Sequence, residues 1–189
     1  YSEKEFTYNN IKQGNRNALL YTDPSVDGLK TGHTEAAGYC LVASSKRGSM
    51  RLITAVMGTN SMQERADQTR ALFSWGFSSY ETIKPLTAGK VLGSAQVWFG
   101  SEDQVTAGLD RDLSITLPRG QKDKVQAVTR LMPDLEAPIA KGQKVGEVVV
   151  TLDGKTIATQ PVVAMEAVEE TNFVVRLWHH LKRFLSNLF

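Results

Sequence analysis

Over most of this chain apolar and polar residues alternate with a period of two, and steps of three and four appear in only two places, behind Ser61 and after Glu169. A period of two puts successive side chains on opposite faces of a strand, whereas steps of three and four line one face of a helix. Such a chain builds sheets and has few helices with which to cover them. The fold class expected is therefore α+β.

Three strand-like stretches come first: Val26 to Thr31, Gly38 to Ser45 and Met50 to Met57, the last two joined by the turn-like Lys46-Arg47-Gly48-Ser49. Together they predict an antiparallel meander. The polar residues 1 to about 22 show no period and read as loop or short helix. Ser61 followed by Glu64 is a capping box, in which the hydroxyl accepts from the Glu64 N–H and the carboxylate returns to the Ser61 N–H. Behind it Met62, Ala66, Thr69, Phe73, Gly76 and Tyr80 form one mostly apolar stripe, so a helix is expected to end near Tyr80. After Pro85 come short alternating runs, Val91 to Phe99, Asp112 to Leu117, Val125 to Leu131, Val145 to Leu152 and Ile157 to Val163. Asp153-Gly154 joins the last two, and that pair suits a tight turn with positive φ at both centres. The expected domains are residues 1–82, a small β-domain at 83–168, and a helical tail at 169–189.

The tail places Val174, Leu177, Trp178, Leu181, Leu185 and Leu188 on one helical face, while Lys182 and Arg183 fall elsewhere. A basic amphipathic helix of this kind lies in a lipid headgroup layer, its cations meeting anionic lipid and its tryptophan at the interface. Packing on its own domain is the alternative; the bulk of the stripe and its place at the end of the chain favour the membrane surface. No apolar run approaches the roughly 20 residues that a spanning helix needs, and no signal segment opens the chain. Since the sequence starts at Tyr1, initiator and signal are expected upstream.

Composition removes several functions. The chain has 22 basic and 20 acidic residues, a formal charge of +2, so no nucleic-acid partner is expected where affinity depends on neutralising phosphates. A single cysteine, Cys40, excludes an intrachain disulfide and a thiolate zinc cluster, and no metal or other cofactor is expected. His179 and His180 sit in the tail, which leaves His33 for any histidine-based catalysis. His33 and Cys40 could form a Cys-His pair, but strand alternation makes Cys40 a small buried hydrophobe.

The informative stretch is Asp27-Gly28-Leu29-Lys30-Thr31-Gly32-His33. On an edge strand, Lys30 and Thr31 can grip a terminal carboxylate while Gly32 leaves room for an extended peptide to lie alongside. Taken alone, the same residues fit an ordinary turn with a solvated lysine. Lys-Thr-Gly is, however, the third signature of the β-lactamase and penicillin-binding class, and here it opens a meander followed by a helix.

From Tyr1 to Phe189 the sequence resembles the C-terminal half of the D-alanyl-D-alanine carboxypeptidases of the penicillin-binding protein 5 and 6 type. The likeness runs through Glu5 to Ile11, Gly14-Asn15-Arg16-Asn17, Val26 to Thr34, Ser74-Trp75-Gly76-Phe77, Leu117-Pro118-Arg119-Gly120 and Leu152 to Ile157. It implies a β-lactamase-like antiparallel sheet with helices, then a β-rich stalk and a helix anchoring the enzyme on the periplasmic face of the inner membrane. It implies a serine-type D-Ala-D-Ala carboxypeptidase that trims peptidoglycan stem peptides through an acyl-enzyme and is a β-lactam target. Carried over residue by residue, Lys30, Thr31 and Gly32 are catalytic, with Lys30 and Thr31 holding the substrate carboxylate. The His33 backbone N–H is an oxyanion donor, and Arg65 and Arg16 are further substrate-binding residues.

Two signatures of that class are missing. No serine in the chain has a lysine three positions on, and Ser-x-Asn is absent too; Tyr8-Asn9-Asn10 is its only lookalike. The nucleophile is therefore expected in an N-terminal segment outside these residues. A non-catalytic, membrane-bound scaffold or partner-binding module is the alternative function, and a true β-lactamase ranks last because it leaves the β-domain and tail unexplained.

Overall fold

A computed structural model of the protein describes residues 1–172 and residue 178. The chain opens on a hairpin of β1 (Glu5–Tyr8) and β2 (Ile11–Gly14), with Tyr8 paired to Ile11. Asn9 and Asn10 turn it with φ of 47° and 60°, values that asparagine tolerates because its short amide bonds to local backbone. Within the stretch expected as loop or short helix, residues 5–14 are thus corrected to a hairpin. A single helical turn, α1 (Leu19–Thr22), leads from the hairpin toward the main sheet.

Next comes the expected meander, longer at each strand: β3 (Val26–Thr34), β4 (Gly38–Arg47) and β5 (Met50–Thr59), antiparallel in the order β3-β4-β5. β3 lies on one edge of that sheet. Ser61 caps helix α2 (Met62–Ser79), its hydroxyl accepting from the Glu64 N–H at 3.0 Å. The Glu64 carboxylate reaches back to the Asn60 N–H at 2.8 Å rather than to that of Ser61, so the reciprocal bond falls one residue earlier than expected. Ala66, Thr69, Phe73 and Gly76 face the sheet as the stripe predicts, but Met62 is 58% exposed and Arg65 is buried in its stead. Leu19, Leu20, Val26, Leu41, Ala43, Ala66 and Phe73 make the core, with Leu52 and Phe77 against it. Gly76 permits the close approach of helix to strand, because a Cβ there would stand 2.6 Å from Leu52 Cδ1.

The helix ends at Ser79, and strand β6 (Tyr80–Leu86) begins at once. The sequence pattern predicts a boundary here and no strand, because Pro85 cannot donate to a ladder; a proline is tolerated in an edge position of a narrow ribbon. Two further strands, β7 (Val91–Trp98) and β8 (Gln104–Gly108), precede β9 (Leu113–Pro118), which completes a two-stranded ribbon with β6. The chain divides into two compact units, Tyr1–Ile83 with Thr116–Gly120, and Lys84–Ile115 with the chain from Gln121 on. Arg119 explains why the short excursion at 116–120 belongs with the first unit. Its guanidinium donates to the carbonyls of Phe77, Ser78 and Tyr80 at 2.8, 3.0 and 3.3 Å, satisfying acceptors that the C-terminus of α2 leaves free.

In the second unit β7 and β8 join β10 (Val125–Leu131), β11 (Leu135–Glu136), β12 (Lys144–Leu152) and β13 (Lys155–Ala164). Their order is β10-β12-β13-β8-β7-β11, antiparallel except for β11 with β7. Val97, Val105, Val145, Val148, Val150 and Val162 fill the interior. Asp153 and Gly154 make the expected turn, with φ of 48° and 78°. β8 is not among the strands expected from the sequence, because only Val105 and Ala107 carry its short apolar alternation.

The described protein is thus mostly sheet with few helices. The tail does not turn helical at Glu169: Val168 bridges Ile139 and Glu170 bridges Gly100, with the Thr171 N–H donating to Phe99 O, so these residues are extended. The proposed membrane-facing residues Val174, Leu177, Leu181, Lys182, Arg183, Leu185 and Leu188 lie outside the described residues, and of the set only Trp178 is described, 63% exposed. Among the described residues no helix is long and apolar enough to cross a membrane.

Candidate active site

β3 is fixed at its start by a fork of charge-assisted bonds. Arg51 on β5 holds both Asp27 oxygens, at 2.9 and 2.8 Å, and donates to the Ser44 hydroxyl on the strand between them. These bonds keep the Asp27 carboxyl below the usual carboxylate range. The register shifts between Val26 and Gly28, so Asp27 sits in the irregularity. From there the ladder runs regularly through Lys30↔Val42, Thr31↔Leu41, Gly32↔Cys40 and His33↔Tyr39.

Asn15 and Asn17 set the opposing wall. The Asn15 amide oxygen accepts from the Asn17 N–H at 2.9 Å, and its amide nitrogen donates to Glu3 O at 3.0 Å. Asn17 is buried; it donates to Gly28 O at 3.3 Å and accepts from the Leu19 N–H at 3.2 Å. Asn17 thereby ties the segment carrying Arg16 to β3.

Arg65 links the two walls from below. Only 3% exposed, it donates to Arg16 O at 2.9 Å and, at the limit of a bond, to Gly32 O at 3.5 Å. Its guanidinium lies 5.7 Å from the centroid of the Tyr39 ring, against which the His33 imidazole stacks at 3.9 Å. Burial lowers the Arg65 pKa from its ordinary value, and the nearby Arg16 cation adds to that.

Between these walls lies a cleft of about 750 Å³. The structure brings all six residues singled out in the sequence to its lining: Lys30, Thr31, Gly32, His33, Arg16 and Arg65. Lys30 is exposed, its ammonium donating to Thr31 O at 2.7 Å rather than to a carboxylate. Among the described residues no Asp or Glu lines the cleft, so three cationic side chains present an unneutralised field to it. The cleft is thus suited to an anion, held at the edge of a strand.

Cys40 is half-buried rather than buried as expected. Its Sγ points at Ala37 O and Gly38 O, at 3.4 and 3.9 Å, while His33 Nδ1 meets Gly38 O at 3.1 Å. The two are thus engaged with backbone carbonyls rather than with each other. Asn9 and Asn10 form the hairpin turn. Gln13, Asn15, Tyr39 and Met62 also line the cleft, beyond the residues expected from the sequence. Of these only Asn15 carries a sequence signal, the Asn-x-Asn spacing of a side-chain-bonded turn.

Residues 1–61 match the family described as D-alanyl-D-alanine carboxypeptidase, and residues 80–170 match penicillin-binding protein 5, C-terminal domain. Over both stretches the chain is similar to D-alanyl-D-alanine carboxypeptidases of the penicillin-binding protein 5 type. It is 44% identical to D-alanyl-D-alanine carboxypeptidase DacA of Escherichia coli K12, covering all of this chain and 47% of that protein. To DacC of the same strain it is 43% identical, over 94% of this chain and 45% of the other. The crystal structure of penicillin binding protein 5 from Haemophilus influenzae superposes with a TM-score of 0.76 at 46% identity, over 90% of this chain and 50% of that one. The chain therefore spans about half the length of the relatives it matches. The Lys30-Thr31-Gly32 strand, with Arg16 and His33, lies within the carboxypeptidase match, whereas Met62 and Arg65 of the same cleft fall between the two matched stretches.

Proposed function

We propose that this chain is the carboxylate-binding half of a serine-type D-Ala-D-Ala carboxypeptidase that removes the terminal D-alanine from peptidoglycan stem peptides and is acylated by β-lactams. One observation supports this above the rest: Lys30, Arg16 and Arg65 converge on one cleft that, among the described residues, no acidic side chain lines. A peptide ending in a carboxylate, laid along β3, meets the Lys30 ammonium and the Thr31 hydroxyl at its terminus. The His33 N–H, three residues further along the strand, donates to the oxyanion that forms at the preceding carbonyl. The chain holds no Ser-x-x-Lys, so the attacking serine comes from polypeptide outside residues 1–189. It opens the carbonyl to an acyl-enzyme, D-alanine leaves with the proton on its amine, and water resolves the ester.

Fluorescent penicillin applied to the intact protein, followed by mapping of the labelled peptide, tests this reading. Label is expected on a serine of a Ser-x-x-Lys sequence outside this chain; an intact protein that takes no label overturns it. Replacing Lys30 by Ala is expected to slow acylation by about two orders of magnitude or more, since the carboxylate loses its charged partner. An unchanged rate removes Lys30 from the site.

The same proposal places the enzyme at the periplasmic face of the inner membrane, held peripherally by residues 171–189. Support comes from the amphipathic pattern of that segment. Deleting Thr171 to Phe189 is expected to release the intact protein from membranes while activity on soluble substrate persists. Sedimentation with membranes after the deletion refutes the anchor.

A further inference from the structure

Resting on the proposed function, the geometry points to Glu35 as a specificity-determining residue, one that selects peptides with a cationic side chain on the residue preceding the terminal D-Ala-D-Ala pair. With the terminal carboxylate at Lys30 and Thr31 and the scissile carbonyl at the His33 N–H, the substrate runs antiparallel to β3. Its upstream residues then continue past His33 toward Thr34 and Glu35. An extended peptide advances about 3.4 Å per residue. The residue before the two alanines therefore arrives where β3 ends and the turn at 35–37 begins.

There is a second cleft at that place. It has a volume of about 340 Å³, shares His33 and Tyr39 with the first, and is otherwise lined by residues 35–38 and 58–60. The stacked His33 and Tyr39 rings are thus the common wall between the two clefts. The turn holds its shape through the Thr34 hydroxyl, which accepts from the Ala37 N–H at 3.0 Å.

The two clefts have opposite electrostatics. The first carries three cationic groups, Lys30, Arg16 and Arg65, and no carboxylate among the described residues. In the second, Glu35 is the only Asp, Glu, Lys or Arg among the described lining residues. Among the described residues the Glu35 side chain is exposed and takes part in no ion pair or hydrogen bond, whereas the neighbouring Asn60 amide is already committed to Glu64 at 3.0 Å. A zwitterionic peptide, anionic at its terminus and cationic on the third residue from the end, complements both clefts at once. A diamino acid with a free side-chain amine at that position supplies the cation. A peptide bearing an acylated or neutral side chain there leaves Glu35 without a partner.

The test uses the intact enzyme and two soluble peptides, Nα-acetyl-Lys-D-Ala-D-Ala with its ε-amine free and Nα,Nε-diacetyl-Lys-D-Ala-D-Ala with that amine blocked. The quantity read is the ratio of their kcat/KM values, in which the amount of active enzyme cancels. The expected preference of the unaltered enzyme for the free amine is about two- to fivefold, as befits an exposed ion pair, and it should shrink as salt is raised. Glu35→Gln is expected to bring the ratio to about one, and Glu35→Lys to turn it below one. A ratio that Glu35→Gln leaves untouched, or one already at unity in the unaltered enzyme, overturns the assignment while the carboxypeptidase reading stands. If the unaltered enzyme cleaves neither peptide, the carboxypeptidase reading fails and this inference fails with it.

Discussion

Arg65 gives the sharpest test of how the cleft is held together, because its guanidinium is nearly buried yet reaches carbonyls on both walls, Arg16 O at 2.9 Å and Gly32 O at 3.5 Å. In Arg65→Met the side chain keeps an apolar stem under the cleft but loses both donors. The longer bond is marginal, so the loss is dominated by the one to Arg16 O. A bond from a charged donor contributes about 1.5–3 kcal/mol, and a carbonyl left unpaired away from water costs a similar amount. Under the proposed function, if that energy holds Arg16 and the Lys30 strand in register for the ligand carboxylate, acylation slows by roughly 10- to 150-fold, at about 1.4 kcal/mol per tenfold. Arg65→Lys keeps the charge but cannot span two carbonyls from one planar fork, so it should recover only part of the rate. The assay is the second-order rate of acylation of the intact enzyme by fluorescent penicillin, with thermal unfolding measured in parallel. A folded Arg65→Met enzyme that acylates at the unaltered rate refutes the reasoning. So would full recovery by Arg65→Lys, which would make charge alone sufficient.

Two further outcomes concern stability. Arg119→Ala removes three donors from the C-terminal carbonyls of α2; because the site is exposed and water replaces them, the expected cost is about 1–2 kcal/mol, read as a lowered urea midpoint, and an unchanged midpoint would show that the clamp contributes nothing. The Arg51 bonds to Asp27 set a pH dependence of stability: since Asp27 is depressed in the folded state, its contribution is present above the unfolded carboxylate pKa of about 3.9 and fades as pH falls through the lower folded value. Asp27→Asn should therefore flatten the acid limb of the stability curve while lowering stability at neutral pH, and an acid limb identical in both proteins counts against the pairing.

Much of the first unit is legible in the sequence because its signals are local. The alternation in β3 to β5 and the Ser61 cap each depend on residues a few positions apart, and local sterics and hydrogen bonding suffice to express them. The Asn9-Asn10 hairpin is equally local but its signal is weaker, since a turn with positive φ at both centres is more often served by glycine. β6 is hidden for a different reason: Pro85 argues against a strand, and only the narrowness of the β6–β9 ribbon makes it harmless.

For the site, the sequence by itself determined the chemistry along β3: which side chain is cationic, which carries a hydroxyl, and where a glycine clears the strand edge. Those identities are set by neighbours in the chain. Only tertiary structure decided that Arg65, 35 residues beyond Lys30, is buried beneath the same cleft, that Asn17 ties Arg16 to Gly28, and that Arg119 returns from beyond β9 to close α2. The helical stripe puts Met62 on the apolar face and leaves Arg65 off it; only the family resemblance names Arg65 as a substrate-binding residue, and neither says that it is buried. Carbonyls on two separate walls decide that, because a guanidinium can be buried when distant acceptors receive its donors, and a one-dimensional pattern contains no record of which distant acceptors will be there.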